Sequence, residues 1–182
     1  MKELSLNILD IAENSVKANA TLTEISIKET EKLLILTIKD DGCGMSEETL
    51  RSVSDPFYTT RTTRKVGLGI PLLKLAAEQT GGTVSIASKT ANEVDPSHGT
   101  TVTATFFKDH LDYTPLGDVV SSVVTLIMGH PDTDFLFTHD TYFGSVSLDT
   151  RELREVLEGV PLDNYEVISW IRGNLEEQYT SI

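Results

Sequence analysis

The chain has 182 residues, 39% of them hydrophobic and 24% charged, which is the composition of a folded domain and not of a disordered one. Its single cysteine, Cys43, excludes a disulfide framework and a cysteine-built zinc site. A formal charge of −13 argues against a general nucleic-acid or acidic-membrane binder.

That charge is unevenly spread. Residues 1–107 carry 11 Lys/Arg against 14 Asp/Glu, a net of −3, while residues 108–182 carry 4 against 14, a net of −10. An anionic ligand is therefore better sought in the first part. The longest mainly apolar run, Val119 to Met128, is interrupted by Ser121, Ser122 and Thr125 and is too short to span a bilayer. The first fifteen residues carry acids where a signal peptide needs an apolar stretch. No membrane association and a cytoplasmic location are the expectations.

In chain order, residues 3–17 read as an amphipathic helix. Leu4, Ile8, Leu9, Ile11, Ala12 and Val16 share one half of the wheel, and Glu3, Asn7, Asp10, Glu13, Asn14 and Lys17 the other. Alternation over Leu22–Lys28 and Leu33–Lys39 predicts a hairpin around the polar turn Glu29–Lys32. Asp40-Asp41-Gly42-Cys43-Gly44 breaks it, and Ser46 caps a short helix to about Val53. Residues 54–66 lack periodicity, with Pro56 stopping any helix. A helix from about Gly69 to Thr80 carries Pro71 in its first turn and ends at Gly81-Gly82. Strands follow at Thr83–Ser88 and Thr100–Phe107. The remainder reads as helix 117–129, strands 133–139 and 142–148, and helices 149–158 and 163–178. Leu153, Val156, Leu157 and Val160 make one apolar stripe there, and Ile168, Ile171 and Leu175 another. The fold class is α/β: a two-layer sandwich of mixed sheet and helices, with a small αββαα unit at residues 108–182.

Four segments carry chemistry. Asp10, Asn14 and Lys17 lie at i, i+4 and i+7, on one stripe of the first helix. A neutral amide oxygen suits a hard cation, and a nearby ammonium suits a phosphate. Taken alone, the stripe also fits an ordinary solvated helix face. Asp40 to Met45 follows a strand, where glycines admit a flat ring and a carboxylate can accept an exocyclic N–H. Arg61, Arg64 and Lys65 crowd into a loop that ends at a helix N-terminus, a setting that favours anions. Gly81-Gly82-Thr83-Val84 and Gly99-Thr100-Thr101-Val102 each open a strand.

In this order and spacing the four segments resemble the Bergerat-type ATP-binding domain of the histidine kinase, gyrase, Hsp90 and DNA mismatch-repair ATPase superfamily, over residues 3–107. Glu13-Asn14-Ser15 resembles the N box, Asp40–Gly44 the DxGxG box, and Pro56-Phe57-Tyr58-Thr59-Thr60-Arg61 the F box and lid. Gly67-Leu68-Gly69 resembles the second glycine box and Gly99-Thr100-Thr101 the last. The resemblance implies ATP and Mg²⁺ as cofactors, with Asn14 as metal ligand and Lys17 facing the phosphates. It implies that Asp40 receives the adenine amino group beside Gly42, Gly44 and Thr100. The lid from Phe57 to Gly69, including Thr59, Thr60, Gly67 and Leu68, would close over the triphosphate with Arg61 or Lys65 as its cation.

Two positions depart from the pattern. Asp10 stands where hydrolases of the superfamily carry a glutamate that activates water, and it is one methylene shorter. Lys65 replaces the first glycine of the second glycine box. The four histidines, His98, His110, His130 and His139, lie in no long helical hairpin and read as loop or surface residues. The expectation is a stand-alone protein that transfers the γ-phosphoryl group to a separate protein, in the manner of small anti-sigma-factor serine kinases. A nucleotide-gated binding module and a slow ATPase are the alternatives. The hairpin around Phe135–Phe137 and Tyr142–Val146, with Trp170 nearby, is expected to bind a protein partner or to form a homodimer; the alternative is an extension that only covers one face of the main sheet.

Overall fold

Alternating apolar and polar residues put every second side chain on one face, so each such segment can bury one side as a strand. Among the described residues six do so: β1 (Leu22–Glu29), β2 (Leu33–Asp40), β3 (Thr83–Lys89), β4 (Gly99–Phe107), β5 (Asp134–Asp140) and β6 (Ser145–Asp149). The computed structural model describes residues 3–54, 68–92 and 95–182. The strands form one sheet in the order β3-β4-β2-β1-β5-β6. Its pairs are antiparallel except β1 with β5, which run parallel from Leu22 opposite Asp134 to Lys28 opposite Asp140.

The helices are α1 (Leu4–Lys17), α2 (Glu47–Ser54), α3 (Gly69–Gln79), α4 (Val119–Gly129), α5 (Thr150–Leu157) and α6 (Tyr165–Thr180). One continuous core joins Leu4, Ile8 and Ile11 of α1, Leu73 of α3, Val123 and Ile127 of α4 and Ile171 of α6 to one face of the sheet. The result is the two-layer α/β sandwich that the pattern predicts, with the C-terminal elements in the expected αββαα order. Local chemistry marks the boundaries. Ser46 Oγ accepts the Thr49 N–H at 3.2 Å to cap α2. Gly81 at φ +82° turns the chain out of α3, a conformation that costs a residue with a Cβ.

Residues 108–182 extend the same sheet. β5 lies against β1, and β6 forms the far edge. Phe135 and Phe137 are fully buried in the shared core, and each contributes about 2–3 kcal/mol of apolar burial. The boundary at 107/108 thus falls between neighbouring elements of one sheet.

Four local expectations are corrected. Asn7 is completely buried although the wheel puts it among polar residues. Neighbours flank α1 on both sides, with Gly69 of α3 against Asp10 and Ser122 of α4 donating to Ser5 O at 3.0 Å, so its buried arc is wider than half. The stripe of Val156 and Val160 is not a buried face; they are 80% and 44% exposed. Strand β6 starts at Ser145 and not at 142, because Thr141 N–H donates to Gly144 O at 2.8 Å and makes a turn of Tyr142 and Phe143. His139 is neither in a loop nor on the surface: it is 4% exposed within β5.

Candidate functional site

The end of the sheet where β2 stops and β4 begins carries a polar row on its helix-covered face. Ser88 pairs with Thr100, Thr100 with Asp40 and Asp40 with Thr23, so four strands contribute one polar side chain each. Along the rest of these strands that face is apolar except for Glu29 at the far end of β1, with Val84, Ile86, Val102, Ile38 and Ile25 next in line. Asp40 is its anchor. It ends the hydrophobic alternation of β2, so the strand pattern that buries Ile38 also buries the carboxylate.

Asp40 is held entirely by neutral donors among the described residues. Its Oδ1 accepts the N–H of Gly42 at 2.9 Å and of Thr100 at 3.2 Å, and Oδ2 accepts the Ser15 hydroxyl at 2.6 Å. Ser88 Oγ lies 2.7 Å from Thr100 Oγ1 and accepts the Met45 N–H at 2.7 Å. The Thr23 hydroxyl, fully buried, has no partner among the described residues.

The glycines set the backbone here. Gly44 has φ +73°, and a Cβ on it would fall 1.9 Å from Lys89 O. A Cβ on Gly42 would reach Ala18 Cβ at 2.9 Å, so the loop packs tightly on the end of α1. Cys43 N–H donates to Ala18 O at 2.9 Å, and His98 Nδ1 lies 2.5 Å from Gly42 O. Asp41 points the other way and accepts from Thr21 N at 2.7 Å and Leu22 N at 3.0 Å. Burial would raise its pKa, but those N–H groups and the Thr21 hydroxyl hold it below the usual carboxylate value.

On α1, Ser15 faces the carboxylate while Asp10 and Lys17 are exposed and Asn14 is half-buried. The start of α3 lies across this stripe: a Cβ on Gly69 would come 3.1 Å from Asp10 Cβ. Leu68, just before it, is 71% exposed. The structure therefore gathers Asp10, Asn14, Lys17, Asp40, Gly42, Gly44, Thr100 and Gly69 around α1 and one end of the sheet. Phe57, Thr59, Thr60, Arg61, Lys65 and Gly67 lie outside the described residues. The donor set suits the expected ligands: a fixed carboxylate for an exocyclic amine, and an amide oxygen four residues from a carboxylate for a hard cation.

Sequence reading missed Ser88, Thr23 and His98 as parts of this site, and it missed the contact of Ser15 with Asp40. Ser88 and Thr23 were visible as polar breaks in the inward-facing phase of β3 and β1. His98 carried no signal, because its contact with Gly42 spans 56 residues.

Residues 2–110 match the family described as histidine kinase-, DNA gyrase B-, and HSP90-like ATPase. That is more than half of the chain, and the protein belongs to this family, whose membership implies ATP binding. The chain is 28% identical over 89 residues to sporulation kinase C of Bacillus subtilis, covering 49% of this chain and 20% of that one. It is 33% identical over 101 residues to sensor histidine kinase YvrG of Bacillus subtilis, covering 52% and 16%. The match thus spans a fifth or less of these relatives. Among solved structures, the Aquifex aeolicus MutL ATPase domain complexed with ADP superposes with a TM-score of 0.48 at 14% identity, over 87% of this chain and 70% of that one. The mycobacterial sensor histidine kinase MprB gives 0.40 at 18% identity, over 56% and 69%.

Proposed function

We propose that residues 1–107 bind ATP with Mg²⁺ and that the protein transfers the γ-phosphoryl group to a separate protein. The observation that supports this best is the Asp40 carboxylate, buried yet surrounded by uncharged donors, beside the Asp10–Asn14–Lys17 stripe. In this reading Asp40 accepts the adenine amino group and Thr100, Gly42 and Gly44 shape the base pocket. Asn14 holds the metal, which supplies charge neutralisation at the phosphates when bound. Lys17, Arg61 and Lys65 meet the phosphate oxygens, with Phe57, Thr59, Thr60, Gly67, Leu68 and Gly69 completing the lid. The acidic segment 108–182 serves partner recognition, in the cytoplasm.

Asp10 bears on the alternatives. Its shorter reach favours transfer or binding over water activation. A single turnover with labelled ATP, with and without cell extract, separates them. A labelled protein supports phosphoryl transfer, free phosphate alone supports an ATPase, and neither supports a nucleotide-gated module.

A further inference from the structure

The two edges of the sheet are finished differently. At β6, the Gln178 amide lies against the outward backbone of Ser147. Its Oε1 accepts the Ser147 N–H at 2.9 Å and its Nε2 donates to Ser147 O at 3.0 Å. Asn174 Oδ1 holds the same Nε2 at 2.7 Å. A side-chain amide thus stands where a seventh strand would pair.

β3 has no such cover among the described residues. The direction of its free groups follows from the ladder. Lys108 N–H, just past β4, reaches Lys32 O beside β2 at 2.8 Å, whereas Phe107 N–H turns the other way to Thr80 Oγ1 at 3.1 Å. Even-numbered residues of β4 therefore address β2, and odd-numbered ones address β3. Opposite them, Thr83, Ser85, Ala87 and Lys89 bond to β4. Val84, Ile86 and Ser88 turn their N–H and C=O groups outward, and none of β3's seven residues is buried.

We propose that β3 pairs antiparallel with β3 of a second copy of this chain, centred on Ile86. In that register Ile86 faces the partner's Ile86, and Val84 faces the partner's Ser88. Every outward group then finds a complement, because an antiparallel pair about a two-fold axis is self-complementary. The side chains agree. Ser85 opposes the partner's Ala87 and Thr83 opposes the partner's Lys89, so no like charges meet. Lys89 is already paired with Asp95 of its own chain.

Long-range charge favours this edge as well. The segment with net charge −10 supplies β5 and β6 at the opposite side of the sheet. Joining two copies at β3 sets the two β6 edges about 50 Å apart at ~4.8 Å per strand. That is several times the Debye length of about 8 Å. Joining them at β6 would bring the acidic segments together.

The test is sedimentation velocity across a dilution series of the full chain, with amide hydrogen exchange. Wild type should sediment as a dimer that dissociates on dilution, and the amides of Val84, Ile86 and Ser88 should gain protection as concentration rises. Ser85→Glu with Ala87→Glu sets carboxylates opposite carboxylates and should weaken the dimer at least tenfold. Ser85→Lys with Ala87→Glu sets each ammonium opposite a carboxylate and should restore it. Both positions are exposed, so the core is untouched. Should a charge variant misfold by circular dichroism, Ile86→Pro removes one outward N–H from an edge strand and should likewise give monomers. Wild type that stays monomeric throughout overturns the proposal, as does a dimer unmoved by the charge pair or by proline.

Discussion

Two carboxylates at opposite ends of the central strands show how surroundings divide structure from chemistry. Asp40, at the end of β2, is bound by a hydroxyl and two backbone N–H groups, none of which carries charge. Glu29, at the end of β1, is bound by cation-forming groups: Lys108 Nζ at 2.9 Å and His139 Nε2 at 3.2 Å. Neutral donors fix a carboxylate and leave its negative charge available for a ligand. Charged donors neutralise it, which suits a lock. The Glu29 cluster is such a lock, since His139 belongs to β5 and its Nδ1 lies 2.7 Å from the Tyr179 hydroxyl of α6. It joins the two parts of the chain beneath their shared sheet.

The titration behaviour follows. The hydrogen bond from His139, with Lys108 adding to it against the cost of burial, holds Glu29 down at about 2. Burial, helped by the nearby Glu29 charge, pushes Tyr113 up to about 12 and also raises Tyr179. A depressed carboxylate contributes stability that is fully present above its unfolded value and lost as pH falls through the folded one. Between about pH 4.5 and 2 the lock should therefore open.

The largest expected effect is on that lock. Glu29→Gln should lower unfolding free energy by on the order of 3 kcal/mol at pH 7, and the variant should lose most of the acid-dependent step between pH 4.5 and 2. Denaturant unfolding across pH measures both. If the step survives unchanged, Glu29 is not its source.

At the other end, stability should matter less than recognition. Asp40 accepting the adenine amino group should favour ATP over GTP, whose corresponding edge presents an acceptor. The lost pairing corresponds to about 1.5–3 kcal/mol, or roughly 10- to 150-fold in affinity. Calorimetry that finds equal affinities removes Asp40 from base recognition and erases the contrast with Glu29.

Asn14→Ala should weaken Mg-ATP binding about tenfold with an unchanged circular dichroism spectrum, and ATP binding in EDTA should be affected less. Equal losses with and without metal would make Asn14 a packing residue of α1. The smallest effect belongs to the β6 edge. Gln178→Ala frees the Ser147 N–H and C=O and should cost about 1 kcal/mol in thermal or chemical unfolding. No change in stability would show that water replaces the amide without penalty.

The strands were legible because their alternation is local. The helices were legible from caps, glycines and one-sided apolar residues. Of the candidate site, Asp10, Asn14, Lys17, Asp40, Gly42, Gly44 and Thr100 were singled out through the resemblance that their segments carry in order and spacing. Their supports were not. Ser15 meets Asp40 across 25 residues and Ser88 meets Met45 across 43, and neither contact leaves a periodic trace.

The sequence by itself determined the α/β class, the element order and the ordered boxes around Asn14, Asp40 and Gly99, because each depends on neighbours within a turn or a strand. Only the tertiary structure decided the rest. Nothing local distinguishes a buried Asn7 from an exposed one on the same helix; the packing of α3 and α4 on either side of α1 does. Nothing local tells that β5 would pair in parallel with β1 across more than a hundred residues, or that His139 would meet Glu29 there. Such pairings are selected by the total apolar area that a whole arrangement buries, a property that no single segment possesses.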